Sequence, residues 1–73
     1  MSNKITWKRI AGSVGVSPAF LSEILGGKYT VQRSTAEKFA DFTNRPFVDF
    51  MTMKPETIRR TLWGAARDKW DSN

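Results

Sequence analysis

Residues that start and stop helices recur along this chain at intervals too short for anything but small helices. Thr6 stands before Trp7, Ile10, Ala11 and Val14, whose spacings of three, one and three make one helical face, and Thr6 is a competent N-cap. Gly12-Ser13-Val14-Gly15 is expected to break that helix, with Gly15 suited to a left-handed turn. Ser17-Pro18 then reads as an N-cap followed by proline at the first helical position, and Gly26-Gly27 closes the helix it opens. A third helix is carried by Ala36, Phe39, Ala40 and Thr43 and stops at Asn44. Pro46 starts a short fourth segment with Phe47, Val48, Phe50 and Met51; Pro55 starts a fifth, with Glu56 in its first turn. No useful stretch alternates with the period of two that a strand requires. The expectation is all-α: a compact five-helix bundle with connections of two to six residues. It forms one domain over 1–73, with a helix pair at 6–26, supporting helices at 32–52 and a C-terminal helix at 55–70.

Composition narrows the chemistry. The 73 residues include neither His nor Cys, which removes disulfides, zinc fingers and thiol or imidazole catalysis. At 40% hydrophobic and 12% aromatic the chain can still bury a core, with Ala36, Phe39, Ala40, Phe47 and Phe50 at its centre. No apolar run approaches the ~18–20 residues of a membrane span. Met1–Arg9 lacks the make-up of a signal peptide, so a soluble, cytoplasmic protein without a membrane partner is expected. Gly26-Gly27-Lys28 lacks the upstream glycine of a phosphate-binding loop and runs into Tyr29 rather than Ser or Thr. Asp41 and Asp49 are separated by a helix stop and have no partner base. The chain is therefore not expected to be an enzyme, nor to carry a cofactor or metal.

Charge points toward a polyanion. Twelve Lys+Arg face seven Asp+Glu, a net +5. Residues 1–36 hold Lys4, Lys8, Arg9, Lys28 and Arg33 against Glu23 alone, which is five minus one, or +4. Residues 37–73 hold seven bases and six acids, or +1. Clustered cations steer toward phosphates and gain from counterion release, although a modest positive charge also serves solubility.

The second helix is two-faced. At about 100° per residue, Phe20, Leu21, Ile24 and Leu25 fall within an arc of roughly 140°, while Pro18, Ala19, Ser22 and Glu23 lie opposite. A helix with one small, polar face can approach a grooved surface closely. A three-residue turn, Val14-Gly15-Val16, joins it to the first helix, and Ile10, Ala11, Val14, Val16, Leu21 and Ile24 are expected to form the core they share. From Trp7 to Gly26 this pattern resembles the helix-turn-helix of the Cro and lambda-repressor-like DNA-binding proteins. Ala11, Gly15, Val16, Leu21 and Ile24 stand at that family's core spacing. Gly27-Lys28 and Ser34-Thr35-Ala36-Glu37-Lys38-Phe39-Ala40 resemble its following loop and helix. The resemblance covers residues 6–45. It implies a lambda-repressor-like fold and a small bacterial or phage transcription regulator, a repressor or an activator, that binds operator DNA with its second helix (about Pro18–Leu25) in the major groove.

Residues can be assigned to such a surface. Ser17, Pro18, Ala19, Ser22 and Glu23 are the expected base-reading face; the Ser22 hydroxyl serves almost any base edge, and Glu23 accepts from a cytosine amino group. Lys8, Arg9, Lys28, Tyr29, Thr30, Gln32 and Arg33 are expected to meet phosphates, with Lys4 beside them; the bland reading is a solvated loop. Phe20 is expected to pack inward. In the tail, Ile58, Leu62 and Ala65 make one stripe, and Trp63, Ala66 and Trp70 a second. The second leaves Trp63 and Trp70 as aromatic surface, expected to pair two copies of the chain as a dimer. The alternative is that Gly64 breaks the helix and Trp70 folds back or meets solvent. A rival to DNA binding is a protein-interaction module, such as an antitoxin or a regulatory subunit. It rests on Pro18-Ala19, where many family members carry Gln, and on Glu23.

Overall fold

Two hydroxyl groups begin the architecture. Thr6 Oγ1 accepts the Arg9 backbone N–H at 3.1 Å, and Ser17 Oγ accepts that of Phe20, also at 3.1 Å. Each satisfies one of the amides that a helix start leaves unpaired. The helices they open are α1 (Trp7–Val14) and α2 (Pro18–Leu25), followed by α3 (Arg33–Thr43), α4 (Phe47–Thr52) and α5 (Pro55–Trp70). The computed structural model describes residues 4–70, and among these there is no strand. Residues 1–3 and 71–73, part of the domain expected over 1–73, lie outside the described residues. Over the described residues the chain is all-α, with five helices in the expected order.

Several boundaries differ from expectation. Gly12 and Ser13 do not break α1, which runs to Val14. The break belongs to Gly15, at φ +100, and the turn is Gly15-Val16-Ser17, one residue later than predicted. The N–H groups of Gly15 and Val16 both donate to the Ala11 carbonyl, at 2.9 and 3.0 Å, which closes the helix end. After α2 the chain reverses through Gly26-Gly27, where the N–H groups of Gly26 and Lys28 reach back to the carbonyls of Ser22 and Glu23, each at 2.9 Å. The connection from there to α3 spans 26–32, one residue longer than the expected limit, and Arg33 belongs to α3 rather than to a loop. Asn44, at φ +61, stops α3 as expected. Gly64 does not interrupt α5: Ile58, Leu62 and Ala66 are buried on its inner side, and that burial outweighs the cost of about 1 kcal/mol for a glycine in a helix interior.

The core lies between the helix pair and the other three helices. Ile10, Ala11, Leu21 and Ile24 from the pair meet Phe39, Phe50, Ile58 and Leu62, each at 2% exposure or less. Ala11 is wholly buried, as a tight α1–α2 approach requires. Val16, by contrast, is only half-buried, as are Ala40 and Phe47. In α3 the buried stripe is Thr35, Ala36, Phe39 and Phe42, turned from the expected one. The reason is aromatic: Phe39 packs on Phe50 at 5.5 Å between ring centroids, and Phe42 meets the edge of Trp70 at 5.7 Å. Two contacts with α5 and α4 thus decide which side of α3 points inward.

The same packing narrows the expected aromatic surface on the tail. Trp63 lies against Trp7, with ring centroids 5.1 Å apart, and the Arg9 guanidinium covers Trp70 at 3.9 Å. Both tryptophans are half-buried within their own chain. Each tryptophan of the expected dimer surface, Trp63 and Trp70, thus already has neighbours from α1 or α3 within its own chain. Among the described residues, no helix is long and apolar enough to cross a membrane.

Candidate nucleic-acid interface

The outward side of α2 follows from its capping. With Ser17 as N-cap and Pro18 fixing the first turn, Leu21, Ile24 and Leu25 fall against the core, and Ser17, Pro18, Ala19 and Ser22 remain exposed. Nothing larger than proline stands on that exposed arc until Glu23, which is half-buried. The Ser17 oxygen accepts one hydrogen bond as a cap, which leaves its hydroxyl hydrogen and one lone pair for another partner.

The loop after α2 folds back beside that face. Lys28 Nζ reaches Glu23 Oε2 at 3.3 Å, so the two lie at the same helix end. Tyr29 is 45% exposed and packs on Phe20, with ring centroids 5.8 Å apart, and Lys28 Nζ sits 5.7 Å from the Tyr29 ring. Phe20 is accordingly half-buried, shared between the core and Tyr29 rather than wholly inside. Thr30, Gln32 and Arg33 are exposed; the Gln32 side chain makes no capping hydrogen bond to α3. The structure therefore brings together α2 and residues 28–30.

The other expected phosphate contacts are placed differently. Lys8 is exposed on α1. Arg9 is held at the far end of α5: besides covering Trp70, its Nη1 donates to the Lys4 carbonyl at 3.3 Å. Arg33 Nε pairs with Glu37 Oε2 at 3.3 Å, and its guanidinium lies 5.0 Å from the Phe47 ring. Glu37 falls just beyond the boundary that gave the front half its +4, so the fold brings back an acid that the division by position set aside. Lys28 with Glu23 and Arg33 with Glu37 are two cations and two carboxylates, with no net charge between them. Their side chains are 39–71% exposed, and pairs in such surroundings are worth about 0–1 kcal/mol, so each can exchange its partner readily.

Compared with protein-family models, with curated proteins and with solved structures, the chain gave no match. The site rests on its own geometry.

Two residues outside the expected set also bear on this surface. Lys38 Nζ donates to the Gly15 carbonyl at 3.2 Å, a link from α3 to the α1–α2 turn across 23 positions, which no local spacing signals. Glu37 was legible, because it stands four residues after Arg33 on one helix, a pairing distance. A second surface feature adjoins the loop: a cleft of about 220 Å³ lined by Ile24, Gly27, Tyr29, Met51 and Pro55 among others. Tyr29, Met51 and Val48 are the exposed large apolar side chains of the described residues.

Proposed function

We propose that the chain binds double-stranded DNA, with α1, the Gly15 turn and α2 acting as a helix-turn-helix and α2 seated in the major groove. The observation that carries this reading is the exposed face of α2: small side chains from Ser17 to Ser22, backed by a buried apolar face and flanked by the loop of Lys28, Tyr29 and Thr30. A narrow face of that kind suits the space between the phosphate ridges of a duplex, and the loop beside it offers Lys28 to them. The resemblance of Trp7–Gly26 to the Cro and lambda-repressor-like proteins supplies the wider role, a bacterial or phage transcription regulator. In this reading Ser22 and Glu23 read base edges, while Lys28 and Arg33 give up their carboxylate partners for phosphates.

The test is a salt titration of a fluorescently labelled duplex followed by anisotropy. Log affinity is expected to fall linearly with log salt. Arg33→Ala should weaken binding to every duplex, and Lys28→Ala binding to the preferred duplex, each flattening that line by about one unit per lost phosphate contact. Unchanged affinity in both variants sinks the loop assignment. A second reading, a protein-interaction module, is favoured by the paired cations and by the exposed Tyr29, Val48 and Met51. Under that reading the protein leaves a heparin column early and random duplex fails to compete for it.

A further inference from the structure

We infer that Glu23 and Lys28 form an exchange pair, through which the choice of base at one position decides whether a phosphate is neutralised. The inference rests on the duplex-binding reading above. The two residues are five apart, too far for one helical face, and meet because the chain reverses at Gly26-Gly27. The Lys28 N–H donates to the Glu23 carbonyl at 2.9 Å, and the side chains close the same loop at 3.3 Å. The backbone contact persists whatever the side chains do, so Lys28 stays beside Glu23 even when the ion pair opens. The Lys28 side chain is 62% exposed, and the Tyr29 ring 5.7 Å away is the other surface near its ammonium.

A carboxylate carried into a groove walled by phosphates needs a cation or an amino group. The cytosine N4 amino group is the major-groove donor that suits it. Opposite any base without a donor in reach, Glu23 keeps Lys28, and that ammonium is withheld from the backbone. Opposite cytosine, the amino group replaces the ammonium at the carboxylate, and Lys28 moves to a phosphate. The preferred duplex therefore releases one more counterion than its variant, which steepens the salt dependence by about 0.9 in log–log slope. Base preference and salt dependence become one property of this pair, where independent contacts would keep them apart.

The experiment takes a duplex recovered by selection from a random pool, together with variants in which each cytosine position is changed in turn. The wild-type protein is expected to show one position where losing cytosine weakens binding about 5- to 150-fold and also flattens the salt slope by about 0.9. In Lys28→Ala the cytosine preference should persist while the two slopes become equal, and Lys28→Arg should restore the difference. In Glu23→Gln both slopes should be steep and the preference at that position lost. Equal wild-type slopes on the preferred duplex and its variants overturn the exchange, as does a slope difference that survives Lys28→Ala. A protein that binds no duplex at low salt overturns the DNA reading itself, so the two failures are distinguishable.

Discussion

The helix pair α1–α2 and the aromatic half formed by α3, α4 and α5 are held in different ways. In the pair, each helix is eight residues long and begins with a hydroxyl that caps it, Thr6 or Ser17. In the other half, α3 and α4 have no side-chain cap, and their ends are set by Gln32, Asn44 and Pro46. What secures them is contact between helices: Phe39 on Phe50, and Phe42 on Trp70. A short helix whose outer face must stay bare has little surface to bury, so its order comes from local hydrogen bonds and turn geometry. A helix with aromatic neighbours can dispense with a side-chain cap at its start. The candidate interface lies in the first kind of region.

Substitutions can break this contrast in order of size. Phe39→Ala should cost about 3–5 kcal/mol, comparable with the whole stability of a domain this small, about 3–5 kcal/mol. Circular dichroism in a urea titration should then show no cooperative transition; a loss below about 1 kcal/mol would mean that aromatic contact is not what holds α3 and α4. Gly15→Ala should cost about 1–2 kcal/mol. Space is not the cause, since a Cβ there would come no closer than 4.0 Å to the Lys38 side chain; the φ of +100 is. A neutral result would show that the turn can relax away from its left-handed conformation. The sharpest version compares two helix starts: Ser17→Ala should lose about 1 kcal/mol, whereas Gln32→Ala should stay within about 0.5 kcal/mol, because its side chain makes no cap bond. Equal losses in thermal melts of the two variants would erase the distinction between the halves.

This contrast also explains what could be read from the sequence. Thr6, Gly15, Ser17-Pro18, Asn44 and the prolines act on residues within four positions of themselves, so spacing alone located most helix starts and the stop at Asn44, while the end of α1 and the start of α3 fell elsewhere. The exposure of Pro18, Ala19 and Ser22 followed from helical periodicity, while Glu23 on the same arc is half-buried. The burial of Phe42, the docking of Trp63 and Trp70, and the Lys38 link to Gly15 depend on residues 23 or more positions away. The second stripe on α5 was expected to stay at the surface, because the width of the cover offered by α1 and α3 is a tertiary property. Charge suffered similarly: counting by halves separated Arg33 from Glu37, which a helix puts on adjacent turns. The Glu23–Lys28 pair escaped the sequence for a related reason, since it forms only where the chain reverses at Gly26-Gly27.

The distribution of aromatic side chains leaves the molecule with two separate spectroscopic reporters. All three tryptophans lie where α5 meets α1 and α3, and two of them, Trp7 and Trp63, are close enough for their indole transitions to couple. The single tyrosine, Tyr29, stands on the loop beside α2. Light absorbed at wavelengths selective for indole therefore reports on whether α5 is seated, and an exciton couplet in circular dichroism should vanish when it lifts away. Phenol emission from Tyr29 reports on the other side of the protein. A ligand that settles on α2 without disturbing the fold should change the second signal and leave the first as it was.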